Sequence, residues 1–159
     1  MSESTASEPA QSSLTDLLAE SSIHLTATAE NRDDAIRQAG EALLAAGAID
    51  ASYIDAMLER EKSVSTFVGE GVAIPHGTLA GKDAVKKDAL VLLRFPETVD
   101  WDGFEVTVAI GIAAKGNGHI ALLSQLATIL LEPEKAEALR NATSIETVYE
   151  LLTAEDEDE

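Results

Sequence analysis

Apolar residues recur along this chain at two spacings, and each spacing marks a different kind of element. Residues 22–27 alternate as a short strand does. Asn31 is then placed as a helix N-cap, with Ile36, Ala39, Gly40, Leu43 and Leu44 at helical spacing and Gly47 closing the helix. Asp50 caps a second helix, which carries Ile54, Met57 and Leu58 on one face and Arg60 and Lys62 at its end. Residues 65–68 and 71–74 are short β-like pieces around a Gly-Glu-Gly break, stopped by Pro75. Residues 89–95 and 106–113 are the best strands, and the second is apolar enough to lie mid-sheet, covered on both faces. After a Lys115-Gly-Asn-Gly turn, Leu122, Leu123, Leu126, Ile129 and Leu130 form the stripe of an amphipathic helix that begins at His119 and ends before Pro133. A short helix follows. Thr143 and Glu146 then make a capping box for a last helix bearing Ile145, Val148, Leu151 and Leu152. Strands mixed with helices predict an α/β domain: a single mixed β-sheet with helices packed on both faces, in three α/β/α layers.

The two ends fall outside that pattern. Residues 1–13 hold almost no large apolar side chain and are expected to form a disordered N-terminal tail, and residues 154–159 an acidic C-terminal one. The expected domain covers residues 14–153. Composition changes this picture little: 45% hydrophobic and 25% charged residues over 159 positions describe one soluble globular domain with a core of its own. The longest apolar stretches, residues 89–93 and 106–114, fall well short of the roughly 18 residues of a membrane span. No secretory signal is visible, so a cytoplasmic location without membrane insertion is expected. The chain has no cysteine, which excludes disulfides, thiolate zinc sites, iron–sulfur clusters and a cysteine nucleophile.

Charge changes it more. A formal net charge of −18 repels phosphate backbones, and the six aromatic residues are scattered, so nucleic acid is not an expected partner. The acidity reads either as a halophile-like solvating surface or as a face for a basic partner. Residues 60–87 are the local exception at +2, against −20 for the remainder.

Candidate chemistry centres on histidine. His24 lies between Ile23 and Leu25 with no polar cluster beside it and reads as structural or exposed. His76 follows an apolar strand that ends on Pro75 and precedes Gly77, a loop position suited to a reactive group and equally open to a plain polar turn. His119 opens a helix, where free amides and partial positive charge suit an anion; a residue simply facing water would look the same. No ligand spacing for a metal is present, Gly69-Glu-Gly71 lacks the Gly-Lys-Ser/Thr ending of a P-loop, and no serine lies in an elbow motif. Histidine remains as the plausible nucleophile, with phosphoryl as the group it carries most readily.

The segment 60–78, Arg-Glu-Lys-Ser-Val-Ser-Thr-Phe-Val-Gly-Glu-Gly-Val-Ala-Ile-Pro-His-Gly-Thr, resembles the active-site stretch of enzyme IIA domains of the mannitol/fructose class in the bacterial sugar phosphotransferase system. Residues 111–127, Gly-Ile-Ala-Ala-Lys-Gly-Asn-Gly-His-Ile-Ala-Leu-Leu-Ser-Gln-Leu-Ala, are similar to that family's second histidine motif. With residues 32–41 and 143–152 the resemblance covers nearly all of residues 14–153. It implies that His76 takes a phosphoryl group on Nε2 from HPr and passes it to enzyme IIB. It also implies that His119 and Arg60 support the transferring group, with Gly77 and Thr78 beside the phosphate and neither metal nor cofactor required. A free-standing IIA is expected, serving fructose first and mannitol second. The alternative is a regulatory, nitrogen-type paralogue that signals by phosphorylation state.

Overall fold

The computed structural model describes residues 17–63, 65–77, 83–115 and 118–157, with the side chains of residues 118–121 and 153–157 left out of the description. The expected disordered tail at 1–13, Thr78 and the His119 side chain therefore lie outside the described residues.

A 3-10 turn at Glu20–Ser22 leads into β1 (Ile23–His24). Helices α1 (Arg32–Ala45) and α2 (Ser52–Ser63) precede a small hairpin, β2 (Phe67–Gly69) and β3 (Val72–Ala73). Two long strands follow, β4 (Ala89–Trp101) and β5 (Phe104–Ala113), then α3 (Gly118–Leu130), α4 (Pro133–Arg140) and α5 (Ile145–Glu157). The strands form one sheet in the order β1-β4-β5-β3-β2, with β1–β4 and β3–β5 parallel and the other pairs antiparallel. This is the mixed sheet expected, with β5 at its centre.

Alternation along the central strands divides the core in two. Leu90, Leu92, Val108, Ile110 and Ile112 face α3, α4 and α5 through Leu122, Leu126, Ile129, Leu139 and Val148. Val91, Leu93, Ala109 and Ala113 face α1 and α2 through Ile36, Ala39, Leu43, Tyr53 and Met57. Both faces are covered, which is why these strands read as continuous apolar runs. Burial of each such Leu or Ile contributes about 1.5–3 kcal/mol. The small residues of β5 lie on the α1 side, and a Cβ on Gly111 would meet Val91 Cγ2 at 2.8 Å and Ala39 Cβ at 3.1 Å. Close approach of α1 depends on that missing carbon. Among the described residues no helix is long and apolar enough to cross a membrane.

Local signals hold at both ends of α1. Asn31 accepts from Asp34 N–H at 2.9 Å as the N-cap of α1. At its other end the Ala48 and Gly47 N–H groups return to the Leu43 and Leu44 carbonyls, with Gly47 at φ 77°. Three expectations are corrected. The strand expected at 22–27 pairs only over Ile23–His24, because the chain then leaves the sheet, staying tied to Arg94 by the bond from Ala27 N–H to its carbonyl and by its guanidinium, which donates to the Leu25 carbonyl. Strand β4 runs past Phe95 to Trp101, with a register shift that accommodates Pro96 and a two-residue turn at Asp102 and Gly103, both at positive φ. The last helix is capped by Ser144, whose hydroxyl accepts from Thr147 N–H at 3.2 Å, rather than by Thr143. That helix is described through Glu157, within the acidic stretch expected as the C-terminal tail.

Candidate functional site

Strand β3 ends against Pro75, and the chain then passes beside β5 for one more residue. His76 forms an isolated parallel bridge with Ile112, whose N–H donates to the Pro75 carbonyl at 3.0 Å. The histidine is 7% exposed, which separates it from a polar residue at a surface turn. Its Nδ1 lies 2.8 Å from the Ile74 carbonyl. A carbonyl oxygen only accepts, so Nδ1 carries the proton and, in the neutral ring, Nε2 carries the lone pair. The ring is thus held in the tautomer that a nucleophilic Nε2 requires.

The topology places the two histidine segments together. Strands β3 and β5 are parallel neighbours, so both end at the same edge of the sheet. His76 follows β3 there, and α3, of which His119 is the second residue, is the next element in the chain after β5. Carboxyl ends of parallel strands beside a helix N-terminus are where anionic ligands are usually received.

The third expected residue, Arg60, belongs to helix α2. Arg60 lies in its last turn, half-buried, seven residues beyond Tyr53 and hence on nearly the same helix face. Tyr53 itself reaches the histidine loop: its hydroxyl accepts from Gly77 N–H at 2.9 Å and donates to the Ile112 carbonyl at 3.0 Å. A Cβ on Gly77 would stand 2.5 Å from Tyr53 Cε1, which accounts for glycine after the histidine.

Next to Arg60, Glu61 is 3% exposed and sits in a polar cluster. Its carboxylate accepts from Thr66 N–H at 3.0 Å, from the Thr66 hydroxyl, and from Trp101 Nε1–H at 2.8 Å. The Thr66 carbonyl in turn accepts from Ile74 N–H at 2.9 Å. The carboxylate is therefore tied through Thr66 to the residue whose carbonyl holds His76. Tyr53, Glu61 and Trp101 were not singled out in the sequence. Tyr53 carries no signal that distinguishes it from core, whereas Glu61 does: a charge falls one turn beyond Met57 and Leu58 on the apolar stripe.

Two surface clefts lie elsewhere. One of about 490 Å³ is lined by Asn31, Arg32, Asp34 and Asp102, the other of about 650 Å³ by Ile23, His24, Gln38 and Glu41; neither includes Arg60 or His76. His24 is exposed, as expected.

A mixed sheet covered on both faces, with a tautomer-fixed histidine where β3 and β5 end and a helix begins, is an arrangement that can receive a small anionic group. The comparisons name the class further. The sequence pattern of the phosphoenolpyruvate-dependent sugar phosphotransferase system family EIIA 2 matches residues 16–155. The mannitol-specific phosphotransferase enzyme IIA component of Staphylococcus aureus is 41% identical over 143 residues, spanning 90% of this chain and 99% of that relative. The complex of enzyme IIAMtl and phosphorylated enzyme IIBMtl from Escherichia coli contains a chain that superposes with a TM-score of 0.81 at 37% identity, over 87% of this chain and 99% of that one. Nitrogen regulatory protein IIA-Ntr of Neisseria meningitidis superposes with a TM-score of 0.76 at 30% identity, over 87% and 97% of the two chains. This chain belongs to the EIIA type-2 family. It is a phosphotransferase component, a phosphocarrier that passes phosphoryl groups by way of a histidine.

Proposed function

We propose that this phosphocarrier serves mannitol uptake, taking a phosphoryl group from phospho-HPr onto Nε2 of His76 and passing it to enzyme IIB. The carrying observation is the bond between Nδ1 of His76 and the Ile74 carbonyl. As the bond from phosphorus to Nε2 forms, the bond to the donor's ring nitrogen breaks and its electron pair returns to the donor imidazole. The proton on Nδ1 stays in place, so the phosphorylated ring is cationic and the Ile74 carbonyl dipole favours it. In the second half-reaction that ring departs as neutral imidazole rather than as an anion, which makes it a good leaving group.

Arg60 supplies a planar cation for the phosphoryl oxygens, whose charge grows across a loose transition state. His119, the second residue of α3, is the residue that the family resemblance assigns as a further donor to the phosphoryl oxygens. Gly77 contributes by lacking a Cβ and by the N–H it gives to Tyr53. The excess of +2 over residues 60–87 offsets the repulsion that a chain of −18 exerts on phosphate.

Mannitol replaces fructose as the first-choice sugar because the 41% identical relative is named for mannitol. The match to IIA-Ntr supports a nitrogen-type regulator less strongly, at 30% identity. Incubation with phospho-HPr should label one acid-labile, base-stable site, and His76→Ala should abolish the label. The labelled protein should then discharge faster to a mannitol IIB than to a fructose IIB. Label persisting in His76→Ala removes His76 from the role, and faster discharge to the fructose IIB removes mannitol.

A further inference from the structure

Tyr53 is 4% exposed on the apolar face of α2 and would pass for an ordinary core aromatic but for its hydroxyl. That oxygen bridges Gly77 N–H and the Ile112 carbonyl, at 2.9 and 3.0 Å. These are the two groups that the next rung of a parallel ladder would join, because Ile112 N–H already takes the Pro75 carbonyl and His76 stands opposite Ile112. The hydroxyl is inserted as that rung. Backbone on either side of the histidine is consequently held from one residue of β5, directly at Pro75 and through Tyr53 at Gly77.

The tether works only while the phenol keeps its proton, since a phenolate cannot donate to the Ile112 carbonyl. Burial raises the Tyr53 phenol above its ordinary value, against a smaller lowering by the Gly77 N–H, and so keeps it neutral. The ring completes the contact, because Gly77 lies against Cε1 and Cζ with no room for a side chain.

We propose that Tyr53 is a positioning residue for phosphoryl transfer, its hydroxyl fixing residues 75–77 and with them the direction in which Nε2 of His76 points. It acts through the loop and does not touch the phosphoryl group. The inference rests on His76 as the carrier. Tyr53→Phe keeps the ring and its packing on Gly77 and deletes one oxygen. The bond from His76 Nδ1 to the Ile74 carbonyl does not involve Tyr53 and survives. What is lost is the alignment of the lone pair, and misplacement of a reacting atom by about 1 Å can cost on the order of a hundredfold in rate.

The test compares the full chain with Tyr53→Phe and Gly77→Ala, using phospho-HPr as donor. Tyr53→Phe should lower kcat for phosphorylation about tenfold while KM for phospho-HPr stays within about twofold, the signature of an interaction used in the transition state. Hydrogen exchange at the Gly77 amide should accelerate about tenfold, with β4 and β5 amides keeping their protection. Gly77→Ala, which drives the ring off the loop, should reproduce the fall in kcat. Wild-type kcat with unchanged Gly77 exchange in Tyr53→Phe overturns the proposal. So does a uniform loss of protection in which kcat and KM change together, as a loosened core would produce. If the wild-type protein takes no label at His76, the carrier reading fails instead; exchange at Gly77 and the ring-nitrogen shifts of His76 then decide the positioning claim without any donor.

Discussion

Glu61 offers the sharpest test of how the site is built, because two substitutions at one position should behave very differently. Its Oε2 accepts from both Thr66 N–H and Trp101 Nε1–H, and its Oε1 accepts from the Thr66 hydroxyl. In Glu61→Gln the amide oxygen can take the place of Oε2 and keep both N–H donors. The amide NH2 then stands at Oε1, where the Thr66 hydroxyl can turn round and accept. All three bonds survive, and only their charge assistance is lost, so the cost should stay below about 1.5 kcal/mol. Glu61→Ala leaves Trp101 Nε1–H and Thr66 N–H buried with no acceptor. At about 1–3 kcal/mol for each orphaned donor, plus a cavity and less the desolvation that the carboxylate no longer bears, the loss should be about 3–5 kcal/mol. Trp101 is the chain's one tryptophan and is fully buried at the cluster, so its fluorescence reports unfolding directly. Urea titrations of the three proteins, compared at matched m-values, give the differences. An alanine variant within about 1 kcal/mol of wild type, or a glutamine variant as costly as alanine, would refute hydrogen-bond satisfaction as what holds this cluster together.

The remaining predictions concern catalysis and alkaline stability. Arg60→Lys should keep the melting temperature close to wild type and slow phosphoryl transfer about tenfold or more, since an ammonium cannot hold two oxygens at once; an unchanged rate returns Arg60 to a helix-end role. His119→Ala should still accept label on His76, more slowly, with a loss of about 2.7–4 kcal/mol expected for one transition-state donor, and unchanged rates in both half-reactions remove it from the site. The Tyr53 phenol is raised by burial, and that of Tyr149 by burial and then by the charge of Glu20. Both therefore hold protons more tightly folded than unfolded, so their contribution is complete below about pH 10 and is lost as pH rises through the folded-state values. The fall in urea midpoint between about pH 9 and about pH 11 should be shallower in Tyr53→Phe, and an identical fall contradicts the sign.

Much of this protein could be read from local order in the chain. The unbroken apolar run at 106–113 requires a strand covered on both faces, and the helical stripes on either side of it supply the covering layers, so the three-layer fold followed from periodicity alone. The motifs around His76 and His119 were legible for a similar reason, since each is a contiguous run of residues. Helix ends marked by Asn31 and Gly47 are equally local.

Other features were decided only by tertiary structure. Strand β4 continues beyond Pro96 because β5 is there to pair with it; residues 96–98 are exposed and carry no apolar alternation. The tautomer of His76 depends on where the Ile74 carbonyl points after a β3 that is itself held by β5. Tyr53 meets partners 24 and 59 positions away, and Glu61 meets Trp101 across 40. Periodicity records which side of an element is buried, and it carries no information about which distant polar group a buried side chain will meet. That pairing is set when α2 closes over the sheet, because a buried donor or acceptor left without a partner costs more than the geometry that supplies one.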